Sequence, residues 1–552
     1  MESIRAFRTH LVRGDLRRLR FRMVIPAYPT FNIYSRVAKI TTALGPLMVA
    51  TIVSRMKHWD VEVIDENNYH RFGPKDERGR PDHSTLQAIR PADVVGLYGG
   101  LSSTIPRLGE LVRFYKDKGA TVIAGGQHFV GGNIRNALEK GVDFVVIGEG
   151  EITIQKLLAV IREGREPDEV AGIAFMRNGQ VVRTREQAPI ADFDELPLPD
   201  FELIRYAKIK LYPVGWIRGC GMNCEFCTVK GKPRAAPVER VVEQIAALLE
   251  THNARHFFIV DDLFGHKRED TLRLCAMLAD YQKAVGTRLD ITVQIRLDRA
   301  KDTELLHAMR RAGINIVAIG FESPIAEELK AMDKRIRPED MIDMTRLYHK
   351  AGFLVHGMFI FGYPLPEGLR LSISPAERVR RFRTFIKKAR LDTIQVLLPI
   401  PLPGTELADR LAAQNRIFPQ DCIGWEYYDG NFPLFRPDEP LTAKDMQSAI
   451  RKIMGRFYRF RSMFAIGFNV LSFPAIILSL FDIKIGWRKW YRPWRNNLLR
   501  FGGWIIIKRW TSDFKRGTFS SKLTRAEERL RDTGGKVDGL SSDREERETG
   551  CS

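Results

Sequence analysis

Apolar and polar positions alternate along the chain in a way that predicts two successive series of buried strands and helices. In the first series, short apolar runs predict parallel strands buried on both faces. These predicted strands span 21–27, 61–64, 92–97, 120–124 and 143–147. Helical periodicity lies between them, at 46–57, 104–118, 131–139 and 151–162. This alternation favours a doubly wound α/β domain.

A predicted hairpin and a linker separate the two series. Asn178-Gly179 predicts a two-residue turn between strands at 170–177 and 180–184. The stretch 194–200 contains two prolines and predicts a linker. The second series has predicted strands at 212–217, 256–260, 289–295, 315–320, 354–360 and 393–398. Six such βα units predict a partial (β/α)6 barrel, with its chemistry in the loops at the carboxyl ends of the strands.

The pattern changes after Gly430 to a basic, Trp-rich and mostly helical segment. The last residues are rich in Arg, Glu, Gly, Ser and Asp, which is typical of disorder. We therefore expect five parts: a basic arm at 1–20, an α/β domain at 21–194, a barrel at 195–430, a helical segment at 431–516 and a disordered tail at 517–552.

Charge is concentrated in one part of the chain. The 552 residues carry a formal net charge of +20, and fifteen Lys/Arg against two Asp fall within 451–516. Such a local excess indicates a surface that binds a partner rather than a uniformly basic protein. Residues 1–22 hold seven Arg without an apolar stretch, so no secretory signal is expected.

Three of the six cysteines lie close together, as Cys220-x3-Cys224-x2-Cys227. This clustering argues against a disulfide scaffold and favours a reducing cytoplasm and an inorganic ligand set. Three thiolates on an iron–sulfur cubane would leave one iron open for chemistry. A zinc site would need a fourth ligand, and the next histidine is His252. Chance clustering of free cysteines is the other alternative.

The cysteine motif, following the first strand of a partial barrel, resembles the signature of the radical S-adenosylmethionine (SAM) superfamily. The resemblance implies one [4Fe–4S] cluster on Cys220, Cys224 and Cys227 with SAM on the open iron. It implies reductive cleavage of SAM to methionine and a 5′-deoxyadenosyl radical, with a flavodoxin or ferredoxin as reductant. Phe226, before the last cysteine, would pack near the adenine.

Later strand ends match the same family in order and spacing, over roughly residues 195–430. The resemblance implies SAM contacts by Asp261, Asp262, Arg296, Glu322, Gly357 and Gly362. Four of these have a plainer alternative. Asp262 could cap the following helix, Arg296 could pair locally, and the glycines could only punctuate loops.

Residues 21–165 resemble the flavodoxin-like, cobalamin (B12)-binding domain that precedes the barrel in one radical SAM subgroup. The resemblance implies cobalamin contacts by Asp65, Ser102, Ser103, Gly125, Gly126, His128, Gly148 and Glu149, at predicted strand ends. The Asp-x-His-x-x-Gly element that supplies a histidine to cobalt is absent, and His128 does not fit it. The alternative is an α/β domain used only for packing or for capping the substrate.

Residues 463–481 are nineteen uncharged residues, close to the roughly 20 that span a bilayer. Five tryptophans interleaved with Arg and Lys follow: Trp487, Trp490, Trp494, Trp504 and Trp510. This combination favours peripheral contact with the inner face of the cytoplasmic membrane. The alternatives are helices packed on the barrel, a true span and, least compatible with the apolar run, a nucleic-acid interface.

These features predict a cobalamin-dependent radical SAM enzyme that acts on a hydrophobic lipid, isoprenoid or tetrapyrrole. The reaction would be methyl transfer, cyclisation or carbon–carbon bond formation, and no acid or base residue is assigned. One alternative is radical SAM modification of tRNA or of a protein. Another is an iron–sulfur electron carrier or sensor, which three rather than four close cysteines argue against.

Overall fold

The first sheet has the strand order of a flavodoxin-like domain. The structure, a computed structural model, describes residues 18–70, 72–334, 336–460, 497–512 and 517–532. The sheet contains β1 (Leu19–Ile25), β2 (Trp59–Asp65), β3 (Val94–Tyr98), β4 (Thr121–Gly125), β5 (Phe144–Val146), β6 (Ile173–Arg177) and β7 (Gln180–Arg183). Its order is β2-β1-β3-β4-β5-β6-β7, with β1 to β5 parallel. The order 2-1-3-4-5 is doubly wound, as predicted.

Helices cover both faces of this sheet, so its central strands are apolar on both sides. The helices are α1 (Leu44–Ser54), α2 (His83–Ile89), α3 (Ile105–Asp117), α4 (Gly132–Glu139) and α5 (Gly150–Glu163). Phe21, Val63 and Val145 are fully buried, as a sheet covered on both faces requires. The predicted hairpin is confirmed, because β6 and β7 pair antiparallel across Asn178 and Gly179, both with positive φ.

The second sheet has six parallel strands whose neighbours follow the order of the chain. Its strands and an adjoining ribbon are β8 (Tyr212–Val214), β9 (Ile217–Arg218), β10 (Arg234–Ala235), β11 (His256–Phe264), β12 (Asp290–Ile295), β13 (Ile314–Glu322), β14 (Leu354–Ile360) and β15 (Thr393–Leu397). The sheet order is β15-β14-β13-β12-β11-β8, while β9 and β10 form a separate antiparallel ribbon. The pairing agrees with six predicted βα units, and closure into a partial barrel stays a prediction.

Helices follow the strands of this second sheet. They are α6 (Val238–His252), α7 (Arg268–Val285), α8 (Thr303–Arg311), α9 (Ala326–Ala331), α10 (Pro338–Lys350), α11 (Pro375–Lys388), α12 (Glu406–Ala413), α13 (Gln420–Ile423) and α14 (Ala443–Phe457). Parallel strands place their carboxyl ends at one edge of the sheet, where the loop that contains the three cysteines also begins.

The helical stretch 497–512 packs on the end of the second sheet. Arg500 donates to the carbonyl of Leu391 (3.1 Å) and lies over the ring of Phe457. Trp510 is only 3% exposed, so its predicted place among lipid headgroups is wrong. Residues 463–481, with Trp487, Trp490 and Trp494, lie outside the described residues. Within the described ranges, no helix is both long and apolar enough to cross a bilayer.

The predicted disorder of the tail is wrong for α15 (Phe519–Asp532). Its buried residues recur at helical spacing and pack against α13 and the loop that follows it: Phe519, Leu523, Ala526 and Leu530. Lys522 adds an ion pair with Glu426 at 2.7 Å. The charged composition of the tail concealed this apolar stripe. Residues 533–552 lie outside the described part of the chain.

Replacing Leu523 should release α15 from the body of the protein. Leu523 is 1% exposed, and removing a buried leucine side chain typically costs about 2–5 kcal/mol. In limited trypsin digestion, Leu523→Ala should therefore raise the cleavage rate within 519–532 by at least about tenfold. Arg525→Lys, at an exposed position of the same helix, should leave that rate unchanged. Equal cleavage of Leu523→Ala and the parent would contradict the packing of α15.

Candidate active site

The loop that carries the three cysteines starts and ends on the β9–β10 ribbon. Arg218 in β9 pairs with Arg234 in β10, so the two ends of the loop are held side by side. Gly219 follows with φ +86°, and a Cβ there would lie 2.9 Å from the carbonyl oxygen of Lys232. Gly221 N–H donates to the carbonyl of Gly231 at 3.0 Å. A residue with a side chain at 219 would strain this closure.

Two consecutive carboxylates at the end of β11 hold the base of this loop. Asp261 Oδ1 accepts hydrogen bonds from the N–H groups of Trp216 and Ile217, both at 2.8 Å. Asp262 Oδ2 accepts from Gly219 N–H, also at 2.8 Å. Both carboxylates thus bind the backbone that leads into Cys220. The helix-cap alternative for Asp262 is wrong, because α7 has Lys267 at its N-cap position.

Burial raises the pKa of Asp261 to about 7. The side chain is 3% exposed, and its Oδ2 has no hydrogen-bond partner among the described residues. The first oxygen is occupied by two backbone N–H groups. Asp261 therefore acts on the cysteine loop, whereas Asp262 also faces an adjoining cavity.

The three thiols are half-buried in one loop and interact electrostatically. Burial raises the pKa of Cys224 and of Cys227, while Lys334 opposes the shift at Cys224. Val229 N–H lies 3.4 Å from Cys227 Sγ, a position that favours a thiolate. Cys275 and Cys422 are buried elsewhere, on α7 and α13.

Three cysteine thiols in one loop are the donor set that a three-thiolate cubane needs. Among the described residues, no three His, Cys, Asp or Glu side chains are placed to hold one metal ion. In a cubane each thiolate binds a different iron, so the sulfurs stand farther apart.

The tip of the loop is anchored on the far side of the second sheet by Glu225, a residue to which the sequence analysis assigned no role. Its carboxylate accepts hydrogen bonds from Tyr363 Oη and from Arg410, whose Nη2 is 3.1 Å from Oε2. Its carbonyl accepts from Leu407 N–H at 3.1 Å. Phe226 packs edge-on against Tyr363, with ring centroids 5.9 Å apart. No local sequence signal marks Arg410 as a partner 185 residues away.

Arg296 and Glu322 lie at the predicted strand ends and are paired there with neighbours. Arg296 forms a two-pronged ion pair with Asp298 (2.7 and 3.1 Å), and its Nη1 lies 3.6 Å from Met222 Sδ in the cysteine loop. Glu322 has an ion pair with Lys334 at 3.2 Å. Arg296 therefore pairs locally and also borders the loop, and a role for either residue toward SAM stays a prediction.

Gly357 and Gly362 have a packing explanation. A Cβ at Gly357 would lie 2.6 Å from Leu391 Cδ1, and one at Gly362 would lie 3.0 Å from Leu441 Cδ2. Both absent side chains would meet the protein's own core. A contact with SAM, which the family resemblance implies for both glycines, is therefore not needed to explain why glycine stands there.

A cavity of about 450 Å³ lies between the first sheet and the base of the cysteine loop. That volume is within the range of small-molecule sites, roughly 300–1,000 Å³. Its wall on the first sheet is apolar and includes Phe21, Met23 and Ile123. Its opposite wall includes Arg218 and Asp262 from the loop base. The first sheet and the cluster loop thus face one shared space.

The structure divides the predicted cobalamin residues into three groups. Gly125, Gly126, Gly148 and Glu149 line the cavity. Asp65 lines a smaller cleft of about 150 Å³, where Thr42 Oγ1 donates to it at 2.8 Å and burial raises its pKa to about 6. Ser102, Ser103 and His128 are buried and line neither space.

His128 is turned toward the protein interior. Its Nδ1 lies 2.9 Å from Ser102 Oγ, and its ring meets Trp425 edge-on at 4.7 Å. Burial lowers its pKa to about 4, so it is neutral at pH 7. This placement agrees with the absence of a histidine element for cobalt.

A network of ion pairs joins the first domain to the base of the cysteine loop. These pairs were not predicted from the sequence. Arg218 bonds Glu151 at 2.5 Å, and Arg234 bonds Glu149 at 2.6 Å. Both guanidinium groups also lie over the ring of Phe193, at 5.1 and 5.6 Å. Because 218 and 234 are the two ends of the cysteine loop, α5 and the loop are tied together at both ends.

Parts of the chain are similar in sequence to known proteins. Residues 214–367 match the radical SAM superfamily. The chain is 26% identical over 452 residues to an uncharacterized methyltransferase of Pyrococcus horikoshii, covering 79% of this chain and 92% of that protein. It is 27% identical over 285 residues to the hopanoid C-2 methylase of Rhodopseudomonas palustris, covering half of each.

A solved structure has a similar fold. It is the radical SAM methyltransferase TsrM of Kitasatospora setae, determined with cobalamin and a [4Fe–4S] cluster bound. The TM-score is 0.58 at 19% identity, with 72% of this chain and 78% of that chain covered. At this identity the likeness concerns the fold.

Removing the Asp261 carboxylate should weaken the cluster loop. Asp261→Ala leaves two buried N–H groups without their acceptor, at a cost of about 1–3 kcal/mol for each. After anaerobic reconstitution, the variant should hold less than half of the parent's iron and sulfide. Asp261→Asn keeps an oxygen acceptor and should hold most of it. Asp280→Ala, at an exposed position of α7, is the matched control. Full cluster content in Asp261→Ala would contradict the anchoring role.

Proposed function

We propose that this chain, a member of the radical SAM superfamily, is a cobalamin-dependent methyltransferase-type enzyme that acts on a hydrophobic substrate. The observation that carries the proposal is the shared cavity. One wall is the ligand-binding edge of a flavodoxin-like sheet, and the other is the base of a three-cysteine loop. This juxtaposition favours two cofactors that act on one substrate.

The chain's residues hold the cluster loop from two sides. Asp261, Asp262 and the arginines at 218 and 234 fix its base, and Glu225 fixes its tip. Cys220, Cys224 and Cys227 would hold the cluster, leaving one iron for SAM. When bound, the cluster would supply the electron for cleavage of SAM to methionine and a 5′-deoxyadenosyl radical, and cobalamin would supply the methyl group. The task of the protein is to position them and exclude water.

The strand ends that line the cavity would hold cobalamin. Gly125, Gly126 and Gly148 line the strand ends, and a Cβ at Gly148 would meet nothing within 4 Å. The missing side chain at Gly148 leaves room for a large ring, whereas a Cβ at Gly126 would lie 2.6 Å from the carbonyl carbon of Gly99, so packing explains that glycine. His128 is engaged with Ser102 and does not line the cavity. These strand ends would hold the ring, and the imidazole of His128 would stay bound to Ser102.

Exposed apolar side chains and the name of one relative support a hydrophobic substrate. The methylase of Rhodopseudomonas palustris acts, by its name, on a hopanoid. In this chain Leu498, Leu499 and Ile505 are 45, 39 and 36% exposed on the helical stretch 497–512, which is followed and preceded by basic residues. Exposed apolar and cationic residues together favour a membrane surface. We propose that this stretch contacts lipid and that the substrate is a lipid, an isoprenoid or a tetrapyrrole.

Loss of one cluster ligand should abolish SAM cleavage. Anaerobically reconstituted and reduced protein should release 5′-deoxyadenosine from SAM, measured by chromatography and mass spectrometry. Cys224→Ala should lower the yield at least about a hundredfold, because a cubane needs its thiolates. Cys275→Ala, at a buried cysteine on α7, is the matched control and should retain cleavage. Undiminished cleavage by a triple variant at 220, 224 and 227 would end the radical SAM assignment.

Attachment to lipid should depend on the exposed leucines. Full-length protein should sediment with vesicles that contain an anionic phospholipid, and only partly detach at high salt, because salt screens charge but not apolar contact. The double variant Leu498→Gln/Leu499→Gln should sediment less. Ile89→Gln removes an apolar side chain on α2 that is still more exposed (64%) and is the control. Equal sedimentation of all three proteins with vesicles would remove the argument for lipid contact at 497–512.

A further inference from the structure

Two hydrogen-bond donors on one helix face the shared cavity and have no role in the site described above. Arg240 and Gln244 stand one turn apart on α6, and both line the cavity. Residues four apart on a helix lie on the same face. The two side chains therefore present neighbouring polar groups to the same part of the cavity wall.

Gln244 is a buried polar residue with an unused donor. It is 5% exposed, and its Nε2 has no hydrogen-bond partner among the described residues. Buried amide groups in folded proteins are normally paired. Phe21, Met23 and Ile123 line the opposite wall of the cavity, and their apolar side chains offer Gln244 no strong hydrogen-bond acceptor. An acceptor on a bound ligand would satisfy this group.

Arg240 is a half-buried cation whose charge is not matched at close range. In the described part of the chain its guanidinium donates to one acceptor, the carbonyl of Pro197, at 2.8 Å. Asp194 and Glu243 act on it only through longer-range attraction, and burial lowers its pKa. A partly desolvated guanidinium is stabilised strongly by an oxyanion with several acceptor oxygens.

The acidic residues of the cavity are already engaged. Glu149 pairs with Arg234, Glu151 pairs with Arg218, and Asp262 accepts from Gly219 N–H. The cationic side chain that lines the cavity without such a pairing is Arg240, among the residues that the structure describes. The chemistry of this wall therefore favours an acceptor or an anion over a donor or a cation.

We infer that Arg240 and Gln244 form a recognition site for an oxyanion on the ligand of the cavity. The inference rests on the proposed function, which supplies such a group: the phosphodiester that links the corrin ring of cobalamin to its nucleotide. The apolar wall takes the nonpolar surface of the ligand, while α6 binds the phosphate oxygens. A carboxylate or phosphate of the substrate is the other source of this chemistry.

The test compares two corrinoids on the reconstituted full-length protein. Hydroxocobalamin contains the phosphodiester, and diaquacobinamide has the same ring without phosphate or nucleotide. Binding is measured by equilibrium dialysis, which needs no turnover. The parent should bind hydroxocobalamin at least tenfold more tightly. Arg240→Leu and Gln244→Leu should each weaken hydroxocobalamin binding roughly ten- to hundredfold, as expected for charge-assisted hydrogen bonds, and leave cobinamide binding within about twofold.

Conservative variants separate recognition from folding. Arg240→Lys keeps the charge and should recover part of the affinity. Gln244→Glu places a carboxylate against the phosphate and should weaken hydroxocobalamin binding more than Gln244→Leu does. Glu250→Gln, at an exposed position of the same helix, is the control. Thermal melts of each variant confirm that the chain is folded.

The outcomes distinguish this inference from the proposed function. If the parent binds neither corrinoid, the cobalamin part of the proposed function fails and the inference fails with it. If the parent binds both and the variants weaken both equally, α6 contributes only the shape of the wall. If the variants weaken neither, the oxyanion belongs to another ligand or water satisfies the donors. Either of the last two results overturns the inference alone.

Discussion

The candidate site depends on the hydrogen bonds that Asp261 and Asp262 accept from the backbone of the β9–β10 ribbon. A loop of half-exposed cysteines has little apolar surface to bury, so packing alone cannot fix its course. Three N–H groups at residues 216, 217 and 219 are held instead by two carboxylates from the end of β11. The strand end that supplies these carboxylates belongs to the second sheet, and the sheet thereby sets where the thiols stand.

The same loop couples the two halves of the protein. Its two ends carry the arginines that pair with Glu149 and Glu151 at the start of α5, and its tip is held by Arg410 and Tyr363. A group bound at the edge of the first sheet and a group bound by the cysteines would therefore share one boundary, held by ion pairs and hydrogen bonds. Enzymes that combine two cofactors need this kind of fixed geometry, because small displacements reduce rates steeply.

The regular parts of both sheets could be predicted from sequence because buried parallel strands are short apolar runs separated by amphipathic helices. The cysteine motif could also be recognised from sequence, because its three residues lie close together in the chain.

The ion pair between Glu225 and Arg410 could not be predicted, because it joins residues far apart in the chain. Gly357 was assigned to SAM from its position at a strand end; packing against Leu391 also requires a glycine there, and the contact with SAM stays a prediction. The helix at 519–532 was missed because its apolar stripe is diluted by charged residues, although its spacing is helical. Trp510 was placed at a membrane by composition, and it is buried in the core.

Everything argued about the site requires that three cysteines hold a cubane with one iron left open. Mössbauer spectroscopy of the isotopically enriched cluster, with and without SAM, measures the state of each iron. SAM should shift about a quarter of the iron signal, because one iron of four lacks a thiolate. A spectrum in which all four irons stay unchanged on addition of SAM would contradict it.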